Sequence, residues 1–274
     1  MDRTLITVAP TGAELDKAAW PQLPTTPEEL LAEAKACEAA GAAMIHVHLR
    51  DDEHRPTLDL GRLREAVAAL RENTGLIVQL STGGSVRDPL AARLAVLDAV
   101  PEVCSLTCGT VNFGDDVFSN PWPFMAELYH RARTARVVPE FELFDLGQVA
   151  SMNRLLEEFG PPYGGRVHAD LVLGVPGGMP ATVPTLVAAV QALPSAVTSW
   201  SATGIGRGHL PVLAASLAMG GHLRVGMEDN VFYAPRRPVT GNAELVARAA
   251  DLAEQLQRPA MGPAQARELL GLSG

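Results

Sequence analysis

A chain of 274 residues that is 47% apolar and only 19% charged can bury a large core, which excludes a disordered or fibrous protein. Its 31 acidic against 22 basic side chains leave a net charge of −9, so a nucleic-acid backbone or an anionic membrane surface is repelled and any anionic ligand must meet a local basic site. Cys37, Cys104 and Cys108 have no disulfide-framework spacing, the start MDRTLITVAP lacks a signal core, and no apolar run reaches the roughly 18 residues that span a bilayer, all of which point to the cytoplasm.

Short β-branched runs alternate with longer amphipathic ones, the pattern of repeated βα units. The first strand reads at Leu5–Ala9. The first helix begins where Thr26 can cap, Pro27 occupies the first turn and Glu29 reaches back, and Gly41 ends it. The second strand, Ala43–Leu49, carries His46 and His48, which the single residue between them puts on one side of the sheet, opposite Val47. In a closed barrel that side is the lumen, where two imidazoles near the mouth form half a shell for zinc, manganese or iron; a pair of hydrogen-bonded core histidines is the bland alternative. A helix over Leu60–Asn73 leads to the strand Leu76–Ser81 and the turn Ser81-Thr82-Gly83-Gly84. A helix over Pro89–Val100 leads to the strand Val103–Thr107 and to Cys108-Gly109-Thr110. Hydroxyls and glycine-freed amides in both loops suit a carboxylate, and they suit ordinary turns equally well. Cys104 and Cys108 read as packing residues.

The helix Pro121–Ala132 precedes the strand Val137–Leu143. There Glu140 and Glu142 share a face and demand cationic neighbours or a metal; they read first as orienting an arginine or the histidines from behind, and otherwise as binding a cationic substrate group or as structural carboxylates. After the helix Leu146–Phe159 and the strand Arg166–Leu173, the turn Val175-Pro176-Gly177-Gly178 can line the entrance. The helix Val183–Leu193 leads to the strand Val197–Ala202 and to Thr203-Gly204-Ile205-Gly206-Arg207-Gly208-His209. This glycine spacing departs from a dinucleotide fingerprint and reads either as an anion site, with Gly206 in the turn and Arg207 as the charge, or as a tight βα turn. The helix Leu210–Met219 leads to the last strand, His222–Met227, and the helix Asn242–Leu256 follows. Arg224 shares its strand face with Glu228. A buried guanidinium needs a carboxylate partner, for which Asp229 is the natural candidate, and an aspartate held in this way is expected to have a depressed pKa.

Eight strand–helix units without a linker predict an α/β fold, a single (β/α)8 TIM barrel over residues 1–274, with chemistry on the loops that follow the strands. In such a barrel strand 8 lies beside strand 1 and strand 1 beside strand 2. Glu228 can therefore join His46 and His48 as a third ligand and leave positions open for substrate. The tail from Arg258 onward packs on its own barrel or on a neighbour.

Taken in order, HVHLRDD, QLSTGG, GTVNFGDD, PEFELFD, VLGVPGGM, GIGRGHLP and GHLRVGMEDN resemble the β-keto acid cleavage enzymes over nearly the whole chain. The resemblance implies a zinc-dependent homotetramer that takes a β-keto acid and acetyl-CoA and yields acetoacetate and a new acyl-CoA. It implies zinc on His46, His48 and Glu228, Asp229 as the carbanion-forming base assisted by Arg224, and Glu142 as a further site carboxylate. Ser81, Thr82, Gly84 and Ser105 match positions that hold the substrate carboxylate. Glu14 matches the residue that receives the substrate amino group in members acting on an aminohexanoate, which favours a cationic substrate. Where those members have tryptophan after strand 7 this chain has Gly208, so a more open pocket near Arg207 is expected. A metal-dependent hydrolase, which would want further ligands on strands 5 and 6, and a metal-bound barrel without catalysis are the alternatives, and dependence on acetyl-CoA separates them.

Overall fold

The computed structural model describes residues 3–272; the outermost positions of the 1–274 span and of the tail lie outside the described residues. Eight parallel strands close a barrel: β1 (Ile6–Val8), β2 (Met44–Val47), β3 (Ile77–Leu80), β4 (Val103–Thr107), β5 (Val138–Leu143), β6 (His168–Leu173), β7 (Ser199–Gly204) and β8 (His222–Val225). Their order around the ring is β1–β8–β7–β6–β5–β4–β3–β2, so β1 lies between β8 and β2 as expected. The largest boundary difference is at β7, which begins and ends two residues later than expected because its ladder with β6 continues through Leu173 and Gly204.

The helices that cover the barrel are α1 (Pro27–Ala40), α2 (Leu60–Asn73), α3 (Leu90–Ala95), α4 (Trp122–Ala135), α5 (Leu146–Phe159), α6 (Val183–Ala192), α7 (His209–Ala218) and α8 (Asn242–Gln255). At the start of α1 the Thr26 hydroxyl accepts from the Glu29 amide and the Glu29 carboxylate accepts from the Thr26 amide, a reciprocal cap, and Gly41 ends the helix in the left-handed region. Helix α3 is shorter than expected and tightens into a 3₁₀ turn over Val96–Ala99; Val100, where right-handed helical backbone is disfavoured by Pro101, leaves it in the left-handed region.

The strand period of two sorts the core. Ile6, Val8, Ile45, Val47, Val78 and Leu80 face outward against the helices. Leu5, Met44, Ile77, Val103 and Val138 face inward and form an apolar floor. The tail packs on its own barrel: α9 (Pro263–Leu270) seals that floor with Ala266 and Leu270, and Met261 joins them. Two backbone hydrogen bonds fasten it, Thr4 N to Pro259 O and Met261 N to Thr4 O, each 2.9 Å. The next lumenal positions up the eight strands are all polar: Thr7, His46, Gln79, Ser105, Glu140, Asp170, Ser201 and Arg224, every one buried. Three small hairpins that the βα pattern does not foretell pair 49–50 with 56–57, 111–113 with 116–118, and 232–234 with 237–238; each sits in the loop after a strand.

Candidate active site

At the mouth, His46 near the end of β2, His48 just beyond it and Glu228 beyond β8 converge. One ligand atom from each lies within 4.8 Å of the other two. The two Nε2 atoms stand 3.8 and 3.6 Å from Glu228 Oε1. Burial, joined by the positive Arg224, lowers the His46 pKa to about 3, and burial lowers His48 as well, so both rings are neutral and able to donate a lone pair. Gln79 Oε1 lies 2.6 Å from His46 Nδ1; since the amide oxygen can only accept, Nδ1 carries the proton and Nε2 keeps its lone pair toward Glu228. Glu228 Oε2 is buried without a hydrogen-bond partner. A side chain at Gly12, whose φ is +62°, would stand 2.7 Å from Glu228 Cγ, so glycine in the loop after β1 lets that carboxylate reach the histidines.

Arg224 is buried among three carboxylates. Its Nε and Nη2 donate to Asp229 Oδ2 and Oδ1, both at 3.1 Å, Nη1 donates to Glu142 Oε1 at 3.1 Å, and Nη2 also reaches Glu228 Oε1 at 2.5 Å. Burial works against its charge, but Asp229, Glu228 and Glu142 outweigh it and hold the guanidinium ionised. Burial would also raise Glu228, yet Arg224, His48 and His46 bring it down to about 2. The expectation of a depressed Asp229 is overturned: burial pushes its pKa up to about 7, because Arg224 is shared among three acids and cannot compensate each in full. Glu142 rises to about 7 for the same reason and accepts a further hydrogen bond from the Thr107 hydroxyl at 2.9 Å. Three carboxylates around one guanidinium leave two negative charges unmatched when all are ionised, the charge a divalent cation carries. The donor set, the proton placement on His46 and the unpartnered Glu228 oxygen all fit such an ion.

These groups line a cavity of about 140 Å³ together with Glu14, Ser81 and Gly84. A larger groove of about 370 Å³ between α1 and α2 touches His48 from outside but holds none of the three carboxylates. Thr82 and Ser105 are tied to each other: the Thr82 hydroxyl donates to Ser105 O at 2.7 Å and the Thr82 amide to Ser105 Oγ at 3.2 Å. Ser81 Oγ accepts from the Gly83 amide at 3.2 Å. Both serine hydroxyls thus serve as acceptors, and each retains a proton to donate. Gly206 and Arg207 lie exposed in a 3₁₀ turn after β7, with the Gly206 amide bound to Asp229 O at 2.9 Å. The expected opening at Gly208 is not there: a Cβ at that position would stand 2.1 Å from Ala181 Cβ, so the neighbouring loop fills the space.

The profile of the beta-keto acid cleavage enzyme family matches residues 3–272. The chain belongs to this family. It is 38% identical over 277 residues to the 3-keto-5-aminohexanoate cleavage enzyme of Acetoanaerobium sticklandii, covering 100% of both chains. It is 34% identical to the 3-oxoadipate:acetyl-CoA acetyltransferase of Cupriavidus necator, covering 98% of this chain and 94% of that one. Among solved structures it resembles the apo form of ObcA with a TM-score of 0.82 at 21% identity, a likeness of fold; the match covers 92% of this chain and 66% of that protein's length. This member of the cleavage-enzyme family is accordingly an enzyme of the acyl-transferring, carbon–carbon-cleaving kind.

Several residues of this cleavage enzyme's site escape sequence reasoning. Gln79 sets the His46 tautomer. Glu140 makes no hydrogen bond to Arg224 or to the two histidines of the donor set and lies 3.4 Å from His168. Arg50 holds the Glu14 loop through Gly12 O and Leu15 O, at 2.7 and 3.0 Å. Arg93 is buried and donates to Thr82 O, Ser119 O and Asn120 Oδ1, which joins the Ser81–Gly84 turn to the 111–118 hairpin. Cys104 and Cys108 are buried packing residues as expected. No helix among the described residues is long and apolar enough to cross a membrane.

Proposed function

We propose that the chain is a single-domain, zinc-dependent enzyme that converts a β-keto acid and acetyl-CoA into acetoacetate and a new acyl-CoA. The observation that carries this reading is the juxtaposition of the His46, His48 and Glu228 donor set with Asp229, a carboxylate whose two oxygens are both held by Arg224. When bound by those three residues, zinc supplies a Lewis acid that polarises the substrate's ketone.

Asp229 takes a proton from the carbon between ketone and carboxylate, and burial, which raises its pKa above the ordinary carboxylate range, makes it a stronger base for that task. Arg224 fixes both Asp229 oxygens and so aims them. The carbanion attacks the acetyl thioester: a carbon–carbon bond forms and the thiolate of CoA leaves. That thiolate then attacks the original ketone carbon, the bond to the acetylated carbon breaks with its electron pair, and Asp229 returns the proton to give acetoacetate. Ser81 donates its free hydroxyl proton to the substrate carboxylate, with Gly84 beside it and Thr82 and Ser105, bound to each other, holding the turn from behind. Glu142 holds Arg224 from the far side, and Gly206 and Arg207 supply an anion site for the phosphates of CoA.

Glu14 favours a substrate with a cationic far end, such as an amino-bearing keto acid. Among the described residues lining the cavity, Arg224 is the one arginine or lysine, and it is already engaged by acids, which disfavours a second substrate carboxylate there. A cytoplasmic tetramer is the setting that the family resemblance implies.

The test is acetoacetate formation from amino-bearing and dicarboxylic β-keto acids, with and without acetyl-CoA, on zinc-loaded wild type and Glu228→Gln. Turnover that needs acetyl-CoA, prefers the amine and disappears in Glu228→Gln together with bound zinc is the expected outcome. Zinc bound normally and no acetoacetate from any keto acid would sink the reaction.

A further inference from the structure

The mouth of the barrel divides into two arcs. The ends of β8, β1, β2 and β3 and the loops after them carry Glu228, Asp229, Glu14, His46, His48 and the Ser81 hydroxyl, and Glu142 at the end of β5 faces them. The loops after β4 to β7 instead present carbon, Phe113 and Phe118 of the hairpin, Phe144, Val175 and Ile205, which with Val86 from the loop after β3 form an apolar cluster apart from the cores beneath the helices. Phe113 meets Phe118 at 6.0 Å and Phe144 at 6.3 Å between ring centroids, both edge-on. The hairpin is firmly seated. Gly114 N donates to Pro176 O at 3.0 Å, and the Arg93 guanidinium lies 4.6 Å from the centre of the Phe118 ring. Ile205, at the far end of this arc, is followed directly by Gly206 and the exposed Arg207.

We propose that the apolar arc seats the acyl thioester, its acetyl group against Phe113, Phe144, Val175 and Ile205 and its pantetheine arm leaving past Ile205 toward Arg207. The inference rests on the acyl-transfer reading above and says which side of the mouth the donor uses. The polar arc is already claimed by the keto acid, whose carboxylate and far end meet Ser81 and Glu14. The thioester's methyl and methylene groups gain from burial against carbon, where a charged or hydroxyl-rich wall would offer them nothing. A carbon wall also excludes water, which would otherwise protonate the carbanion or hydrolyse the thioester. The sulfur stays at this wall throughout: it leaves the acetyl carbon as thiolate and takes up the acyl carbon of the keto acid, so one C–S bond breaks and another forms without CoA moving.

The test compares wild type, Phe113→Ala and the milder Ile205→Ala. One series uses acetyl-, butyryl- and hexanoyl-CoA with one keto acid, and a second uses keto acids of increasing chain length with acetyl-CoA. Widening the wall is expected to raise kcat/KM for butyryl-CoA relative to acetyl-CoA by about tenfold or more, while KM for the keto acid stays within about twofold. Arg207→Ala is expected to raise KM for acetyl-CoA and leave an acetyl thioester of cysteamine, which lacks the phosphates, unchanged. Variants that alter the ranking of keto acids but not of donors would overturn the proposal and give the wall to the keto acid's chain. Absence of acetoacetate from wild type with every donor would instead overturn the acyl-transfer reading itself.

Discussion

The floor of the barrel and the level just above it are built from the same strands, two residues apart, yet share almost no chemistry. Leu5, Met44, Ile77, Val103 and Val138 close the floor with carbon, while the next lumenal positions on those strands are Thr7, His46, Gln79, Ser105 and Glu140. A step of two residues leaves the backbone ladder unchanged and replaces the surroundings entirely. Stability can therefore be concentrated below and reactive, poorly solvated groups above. Several of those upper groups carry a cost: Thr7 Oγ1, Gln79 Nε2, Glu140 Oε1 and Asp170 Oδ1 are buried without a hydrogen-bond partner.

Substitutions at three positions probe this division. Ile77→Ala, at the floor, is expected to lower unfolding stability by roughly 2–5 kcal/mol and leave kcat/KM of the surviving folded enzyme unchanged; urea denaturation beside turnover measures both, and equal losses in the two would abolish the distinction. Gln79→Leu, one lumenal step higher on the same strand, should do the reverse. Zinc affinity in a chelator competition should fall by roughly 10–100-fold, recovering with Gln79→Glu, which keeps an acceptor for His46 Nδ1. A Gln79→Leu enzyme that holds zinc as tightly as wild type would show that the His46 contact is only packing.

The smallest effect concerns Glu140. Burial, reinforced by the nearby Asp170, raises its pKa from the ordinary 4.5 to about 8. A carboxyl whose folded value lies above its unfolded value adds stability that is fully present below the unfolded pKa and is lost as pH rises through the folded one. Wild-type stability should thus decline between mildly acidic pH and about 8. Glu140→Gln, which cannot ionise, should show a flatter profile over that window in urea midpoints taken across pH. Parallel profiles would mean that the charge of Glu140 is compensated within the lumen.

Much of this organisation was legible in the chain itself. The barrel was, because each strand is a short β-branched run and each helix carries its own start and stop, as Thr26, Glu29 and Gly41 illustrate. His46, His48, Glu228 and Arg224 were, because a period of two and the closure of the ring place them together without any knowledge of register. Gln79 was not: its contact with His46 depends on the β2–β3 register, which sets those two residues opposite each other and which neither strand announces. The pKa of Asp229 was misread because pairing with Arg224 could be foreseen, but not the two other acids that claim the same guanidinium. Nothing in the sequence marks Arg93, and only the folded chain shows its three acceptors. For the 111–118 hairpin a signal existed, Gly114-Asp115 between Phe113 and Asp116, but it was eclipsed by the expectation that every strand leads straight to a helix.

The α9 seal sets an order on how this molecule can come into being. Helix α9 follows all eight strands in the chain, and the residues just before it clasp Thr4, at the opening of the first unit. During synthesis the floor formed by β1 to β5 must wait, unsealed, for a segment that leaves the ribosome more than a hundred residues later. Completion of the barrel thus depends on contact between its earliest and latest parts, a pairing whose large loop-closure entropy slows folding and leaves the unsealed apolar floor as the surface most in need of chaperone protection.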